Sequence, residues 1–164
     1  RSEVRFAVLL HDLGKGCTPP ARWPHHHGHE ARSAELAEAL CGRLGAPRRF
    51  RQLAMAVARY HGLCHRALDL RPGTLLSLLE GIGALRHGEA RLEDFLAACE
   101  ADARGRAGRE EAPYPQAELL RACLAAVRGV DTAPLLASGL DGKALGAALR
   151  EARVRAIAAC RAGR

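Results

Sequence analysis

The sequence predicts an all-α protein, and three observations carry that prediction. Apolar residues recur three and four positions apart along most of the chain, the period of a helix with one buried face. No segment alternates apolar and polar residues as a half-buried strand would. Of the 164 residues, 48% are hydrophobic but only 4% aromatic, and alanine and leucine dominate, which favours helices packed through small side chains.

The elements follow in order. Residues 3–13 read as a buried helix, with Val4, Phe6, Ala7, Val8, Leu9, Leu10 and Leu13 apolar and Gly14 as its terminator. From Gly14 to Gly28 the pattern breaks at Thr18-Pro19-Pro20, Trp23-Pro24 and three histidines, and a loop of that length is more often functional than idle. A second helix spans about 29–44, striped by Leu36, Leu40 and Leu44. Pro47 opens a third that runs to about His61 along Phe50, Leu53, Ala54 and Val57. After Arg71-Pro72-Gly73 come helices at about 74–86 and 91–104. Residues 105–115 form a Gly- and Pro-marked loop, and 116–163 read as two or three helices with a turn at Gly139–Gly142. A mild shift in composition near residue 110 divides a helical core from a C-terminal helical extension.

The formal net charge is +7, and the excess is arginine, since Lys15 and Lys143 are the only lysines. Arginine suits bidentate binding of phosphate, so a nucleic acid or phosphorylated partner fits, as does a merely solvated arginine-rich surface. None of the six cysteines forms a CxxC pair, and they read as reduced thiols of a cytoplasmic protein. No apolar run approaches the roughly 18 residues of a membrane span.

His11 and Asp12 end the first helix. His11 lies three and seven residues after Val8 and Val4, and Asp12 lies four after Val8, so both lean inward. Charged groups that face a core need partners. Other helices offer them on their own apolar stripes: His61 four after Val57, Asp102 three after Cys99 and seven after Phe95, and His29 in series with Ser33 and Leu36. Singly, His61 reads as a buried histidine, Asp102 as a partner of Arg104 or Arg106, and His29 as a helix cap. Together they read as one site, because imidazole and carboxylate are the ligands that divalent metals take. One ion would offset the cost of burying the aspartates, and Asp12 could bridge two.

The run Leu10-His11-Asp12-Leu13-Gly14-Lys15-Gly16 resembles the HDxGK signature of the HD phosphohydrolase superfamily. With Trp23-Pro24-His25-His26-His27-Gly28-His29-Glu30, Cys99-Glu100-Ala101-Asp102-Ala103-Arg104-Gly105-Arg106 and Pro113-Tyr114-Pro115-Gln116, nearly the whole chain is similar to the HD domain and tail of bacterial multifunctional CCA proteins, the CCA-adding tRNA nucleotidyltransferases. The resemblance implies an HD helical bundle over 1–110 and a tRNA-contacting extension over 111–164. It implies metal ligation by His11, Asp12 and Asp102, with His29 and His61 at positions that hold a second metal in some HD enzymes. The cofactor is expected to be a divalent ion: Mg, Ni, Mn or Co. The implied activities are 2′,3′-cyclic phosphodiesterase, 2′-nucleotidase and phosphatase, acting on nucleotides or cyclic phosphate ends in tRNA 3′-end processing and repair. His11, Asp12 and Lys15 are the expected catalytic residues; Lys15 reads equally as a solvated helix cap. The family's histidine one helix upstream of the pair has no counterpart within these residues, so either the chain is a piece of a longer protein, for which a homodimer is one option at full length, or the site is incomplete, and full activity of the chain by itself is not implied. It carries no nucleotidyltransferase head, so nucleotide transfer is not expected of it.

Arg150, Arg153 and Arg161 (with Arg164) fall on one face of the last helix and read either as contacts to tRNA phosphates or as a solvated face. His25, His26 and His27 read as a solvated loop, His65 and His87 as surface residues, and Trp23 as a loop anchor. Two other functions remain open on these residues. One is a non-enzymatic tRNA-holding module with an inactive HD site. The other is an HD hydrolase of free nucleotides or alarmones.

Overall fold

The computed structural model describes residues 1–163. Its elements are α1 (Ser2–Leu10), α2 (His29–Arg43), α3 (Arg48–His65), α4 (Pro72–Gly81), α5 (Ala84–His87), α6 (Glu89–Arg104), α7 (Pro115–Arg128), α8 (Ala133–Ala137) and α9 (Gly142–Ala162), with short 3₁₀ turns between some of them. The described residues contain no strand, as the periodicity predicts. Among the described residues no helix is long and apolar enough to cross a membrane.

α3 is the axis of the bundle. It packs against α2, α1 and α6, while α7 and α9 pack on each other and on α4. Leu53, Ala54, Val57 and Cys64 of α3 are fully buried, in keeping with its predicted stripe. They meet Leu10 of α1 and Phe95, Leu96 and Cys99 of α6 in one apolar cluster. The same cluster takes in Leu120, Leu124 and Ile157, so a single core runs past the loop at 105–114.

Two stripes differ from expectation. α1 stops at Leu10, and Leu13 lies in a separate 3₁₀ turn, Leu13–Cys17. Leu9 is 75% exposed although the sequence places it in a buried run. On α2 the buried face is Ser33, Ala34, Ala37 and Cys41, while Leu36 and Leu40 are only half-buried and Leu44 is exposed. Small residues carry this face because α2 lies close against α3, and larger side chains sit at the margins of the contact. α3 also continues one turn beyond His61 to His65, and the predicted helix at 74–86 breaks at Gly83, whose φ is +81°.

Candidate metal centre

The site begins where α1 ends. Neighbouring residues on a helix point about 100° apart, so two adjacent ligands cannot both face one point while the helix continues. His11 closes α1 in helical geometry, and Asp12 leaves it with φ −109° and ψ 11°. That turn brings both side chains to the same interior point. Gly14 then carries the chain hard against α2, where its amide donates to Ser33 Oγ at 2.8 Å. A Cβ there would sit 2.4 Å from the His29 carbonyl oxygen and 2.7 Å from the Ser33 nitrogen. Gly14 is therefore needed for close approach, beyond the helix-ending role read from the sequence.

Asp12 is the hub. Its Oδ2 lies 3.2 Å from His11 Nε2 and 2.5 Å from Lys15 Nζ, and its Oδ1 lies 3.3 Å from His29 Nε2 and 3.6 Å from His61 Nε2. Asp102, from α6, places Oδ1 3.4 Å from His11 Nε2. Around Asp12, His11 and His61, which lie mutually close, stand His29 beside Asp12 and Asp102 beside His11, so α2, α3, α6 and the end of α1 each contribute an expected ligand. Among the described residues Asp102 pairs with no arginine; Arg104 binds Glu100 at 3.0 Å instead.

The three imidazoles are oriented alike. His11 Nδ1 is 2.6 Å from the Val8 carbonyl, His29 Nδ1 is 2.8 Å from the His26 carbonyl, and His61 Nδ1 is 3.0 Å from the Val57 carbonyl. A carbonyl only accepts, so each Nδ1 carries a proton and each Nε2 turns toward the carboxylates. Metal-binding histidines are fixed in this way, with the second nitrogen donating to a backbone carbonyl or carboxylate.

His11 Nε2, His29 Nε2 and Asp12 Oδ1 are buried with no hydrogen-bond partner. Their separations of 3.2–3.6 Å are long for hydrogen bonds to a carboxylate. The 3.2 and 3.3 Å separations match the spacing of ligands that share an ion, since two donors each about 2.1 Å from a metal are about 3.0–3.4 Å apart, and the 3.6 Å of His61 lies just beyond it. His11, Asp12 and His61 each offer an atom within 4.8 Å of the others. The donor set, nitrogen and carboxylate oxygen, fits a divalent cation.

The electrostatics make the same demand. Burial disfavours a charged His11, but the carboxylates of Asp102 and Asp12 beside it outweigh it and push its pKa up to about 10. Burial works against the Asp12 carboxylate, and His11 and Lys15 nevertheless hold its pKa well below the usual range. Asp102 is held low by His11 and then His65. Burial and the charge on His11 lower the pKa of His61. Two carboxylates therefore stay ionised in a half-buried site and draw positive charge to it; without an ion, His11 supplies that charge as a proton.

His65 was read as a surface residue, and the structure corrects this. It is half-buried, with Nε2 2.7 Å from Asp102 Oδ2 and Nδ1 2.9 Å from the Tyr114 hydroxyl. The signal was present: His65 follows His61 by four residues and so shares its helix face. His25 and His27 are exposed and stack at 5.9 Å, and His26 meets Thr18 Oγ1 at 3.0 Å, all outside the cluster. Trp23 is 61% exposed and donates to the Thr18 carbonyl at 3.0 Å within its own loop.

The tail arginines are far from a free basic face. Arg150 reaches α4, 2.8 Å from Glu80 Oε2 and 2.9 Å from Ser77 Oγ. Arg161 donates to the carbonyls of Leu68, at 2.8 Å, and Leu70. Arg153 is half-buried with its Nε shielded from solvent, and Arg164 lies outside the described residues.

Among known proteins, the HD domain family model matches residues 1–124. The chain is 54% identical over 161 residues to the multifunctional CCA protein of Methylococcus capsulatus, an alignment covering 98% of this chain and 38% of that protein. It is 52% identical over 156 residues to that of Nitrosococcus oceani (95% and 38%) and 54% identical over 154 residues to that of Thioalkalivibrio sulfidiphilus (94% and 37%). The chain therefore spans a little over a third of the length of these relatives. No solved structure matches it. A family match across most of the chain, on a helical bundle that gathers His11, Asp12 and His61 at one point with Asp102 beside His11, places the chain in the HD domain family.

Proposed function

We propose that the chain is a metal-dependent phosphohydrolase domain acting on the 3′ ends of tRNA, with 2′,3′-cyclic phosphodiesterase, 2′-nucleotidase and phosphatase activities. One observation carries this reading: three Nδ1-anchored imidazoles turn Nε2 toward two ionised carboxylates, and three of those inward atoms are buried without a partner. His11, Asp12 and Asp102 would hold one divalent ion, and His29 and His61, on the Oδ1 side of Asp12, would hold a second or complete the first. Bound there, a divalent ion supplies a water acidic enough to attack near neutral pH and positive charge for a phosphoryl oxygen.

The chain's own groups do the rest. Asp12, fixed from both oxygens, orients the ligands around it. Lys15, partly exposed beside Asp12 Oδ2, is placed to meet a phosphate oxygen at the mouth of the site. The relatives' name and the arginine-rich composition support tRNA as the larger ligand. Arg150 and Arg161 are engaged with the body of the protein, through Glu80 and the Leu68 carbonyl, which disfavours them as its contacts.

The test is hydrolysis of 2′,3′-cyclic AMP by the purified chain with Mg, Mn, Co or Ni. Activity should depend on added ion and fall at least about 100-fold in Asp12→Ala with the helical circular dichroism unchanged. Full activity in Asp12→Ala would place the chemistry elsewhere.

A further inference from the structure

A second cleft adjoins the metal centre. The loop 105–113 folds over the C-terminal end of α6 and encloses about 240 Å³, lined by His65, Arg104, Arg106, Arg109, Tyr114 and Gln116 among others. No carboxylate lines it. Arg104 is engaged, donating to the Ala112 carbonyl at 3.2 Å and pairing with Glu100. Arg106 and Arg109 are exposed, and neither guanidinium has an ion-pair partner among the described residues. The nearby carboxylate of Glu110 accepts from the Gly108 amide at 3.2 Å. Two unpaired arginines in a concave site without an acid form a site for an anion.

The cleft and the centre share a wall. His65 lines the cleft and holds Asp102 through Nε2, and Gln116 pins that histidine by donating to its carbonyl at 3.0 Å. The cleft is smaller than the roughly 300–1,000 Å³ of pockets that engulf a whole small ligand. It suits one segment of a ligand that continues elsewhere. The larger cleft, about 510 Å³ between α2, α3 and α4, mixes Glu35 and Glu38 with Arg59 and Arg91 and selects neither sign.

We propose that the Arg104–Arg106–Arg109 cleft is a phosphate subsite that holds the backbone phosphate of a polynucleotide strand whose 3′ end lies at the metal centre. This rests on the phosphohydrolase reading above and gives it a substrate class: strand ends in preference to mononucleotides. A mononucleotide fills only the centre. A strand places a further phosphate against Arg106 and Arg109, which bind phosphate oxygens as a fork.

The test compares the wild type with Arg106→Gln/Arg109→Gln, both changes lying on an exposed loop. Two substrates are hydrolysed: 2′,3′-cyclic AMP and a short oligoribonucleotide ending in a 2′,3′-cyclic phosphate. Binding of a labelled oligoribonucleotide is followed by fluorescence anisotropy at several salt concentrations. The double variant should lose about tenfold in kcat/KM on the oligonucleotide and nothing on the mononucleotide. Its log Kd against log salt should flatten by about one to two units. Equal loss on both substrates, or on neither, overturns the proposal. If wild type hydrolyses neither substrate, the phosphohydrolase reading fails alone, and the salt slopes still decide the cleft: unchanged slopes overturn it. Millimolar inorganic phosphate at constant ionic strength should displace the oligonucleotide from wild type more than from the variant, and equal displacement from both overturns the cleft as the strand's phosphate site.

Discussion

Asp12 meets His11 and Lys15 through one oxygen and His29 and His61 through the other, so its protonation state sets the charge balance of the centre. The pH dependence of the metal-free protein follows. The folded pKa of His11, about 10, lies above its ordinary 6.5, so its ion pairs contribute fully below pH 6.5 and are lost as pH rises toward 10. The carboxylates of Asp12 and Asp102 are depressed below 3.8, so their contribution is present above that pH and is lost as pH falls. The melting temperature of chelator-treated protein should therefore peak between about pH 4 and 6.5 and decline on both sides. A melting temperature still rising between pH 7 and 9 would contradict the assigned charge on His11. Five of the centre's residues were legible because each stands on an apolar stripe. His65 was passed over because it lies one turn past the predicted end of α3, although it shares the face of His61. It supports Asp102 from behind, and outer partners of this kind typically change metal affinity by about 10–100-fold. His65→Ala should lower affinity for Mn or Ni by that factor in calorimetry while the helical signal is retained. Unchanged affinity would make the His65–Asp102 contact incidental.

At the scale of elements, the turn after α1 and its seat on α2 decide whether the ligands meet. The sequence showed that a helix ends near Gly14 but not that the chain must there touch a neighbouring backbone. No local pattern encodes a contact made 19 residues away. The small-residue face of α2 escaped the leucine stripe for a related reason: how close two helices lie is a property of the pair. Gly14→Ala forces a methyl against the His29 carbonyl and Ser33 amide. It should cost about 1–3 kcal/mol in urea unfolding and weaken metal binding, because relief of the clash moves the HD turn away from His29. Gly16→Ala, where a Cβ meets nothing within 4 Å, is the control and should leave metal binding intact. Equal behaviour of the two variants would remove Gly14 from the account of the site.

Across the whole molecule, α9 is fastened to the rest by three contacts of different chemistry. Ile157 is its one fully buried side chain and joins the common core. Arg150 reaches α4, and Arg161 reaches the carbonyls after α3. A basic face at helical spacing looks the same in sequence whether it meets phosphates or the protein's own carbonyls, so only the packing separates the two. Ile157→Ala should lower stability by about 2–5 kcal/mol. Arg161→Gln should lower it by about 1–3 kcal/mol without altering the salt dependence of RNA binding. A flatter salt dependence with unchanged stability would return Arg161 to the nucleic-acid face. The central claim, that His11, Asp12 and Asp102 form a metal centre, is tested most directly by an anomalous difference map from crystals soaked in Mn or Ni. The peak should lie about 2.0–2.2 Å from His11 Nε2 and from a carboxylate oxygen of both Asp12 and Asp102. A peak confined to the exposed His25–His27 loop, with none at Asp12, would contradict it.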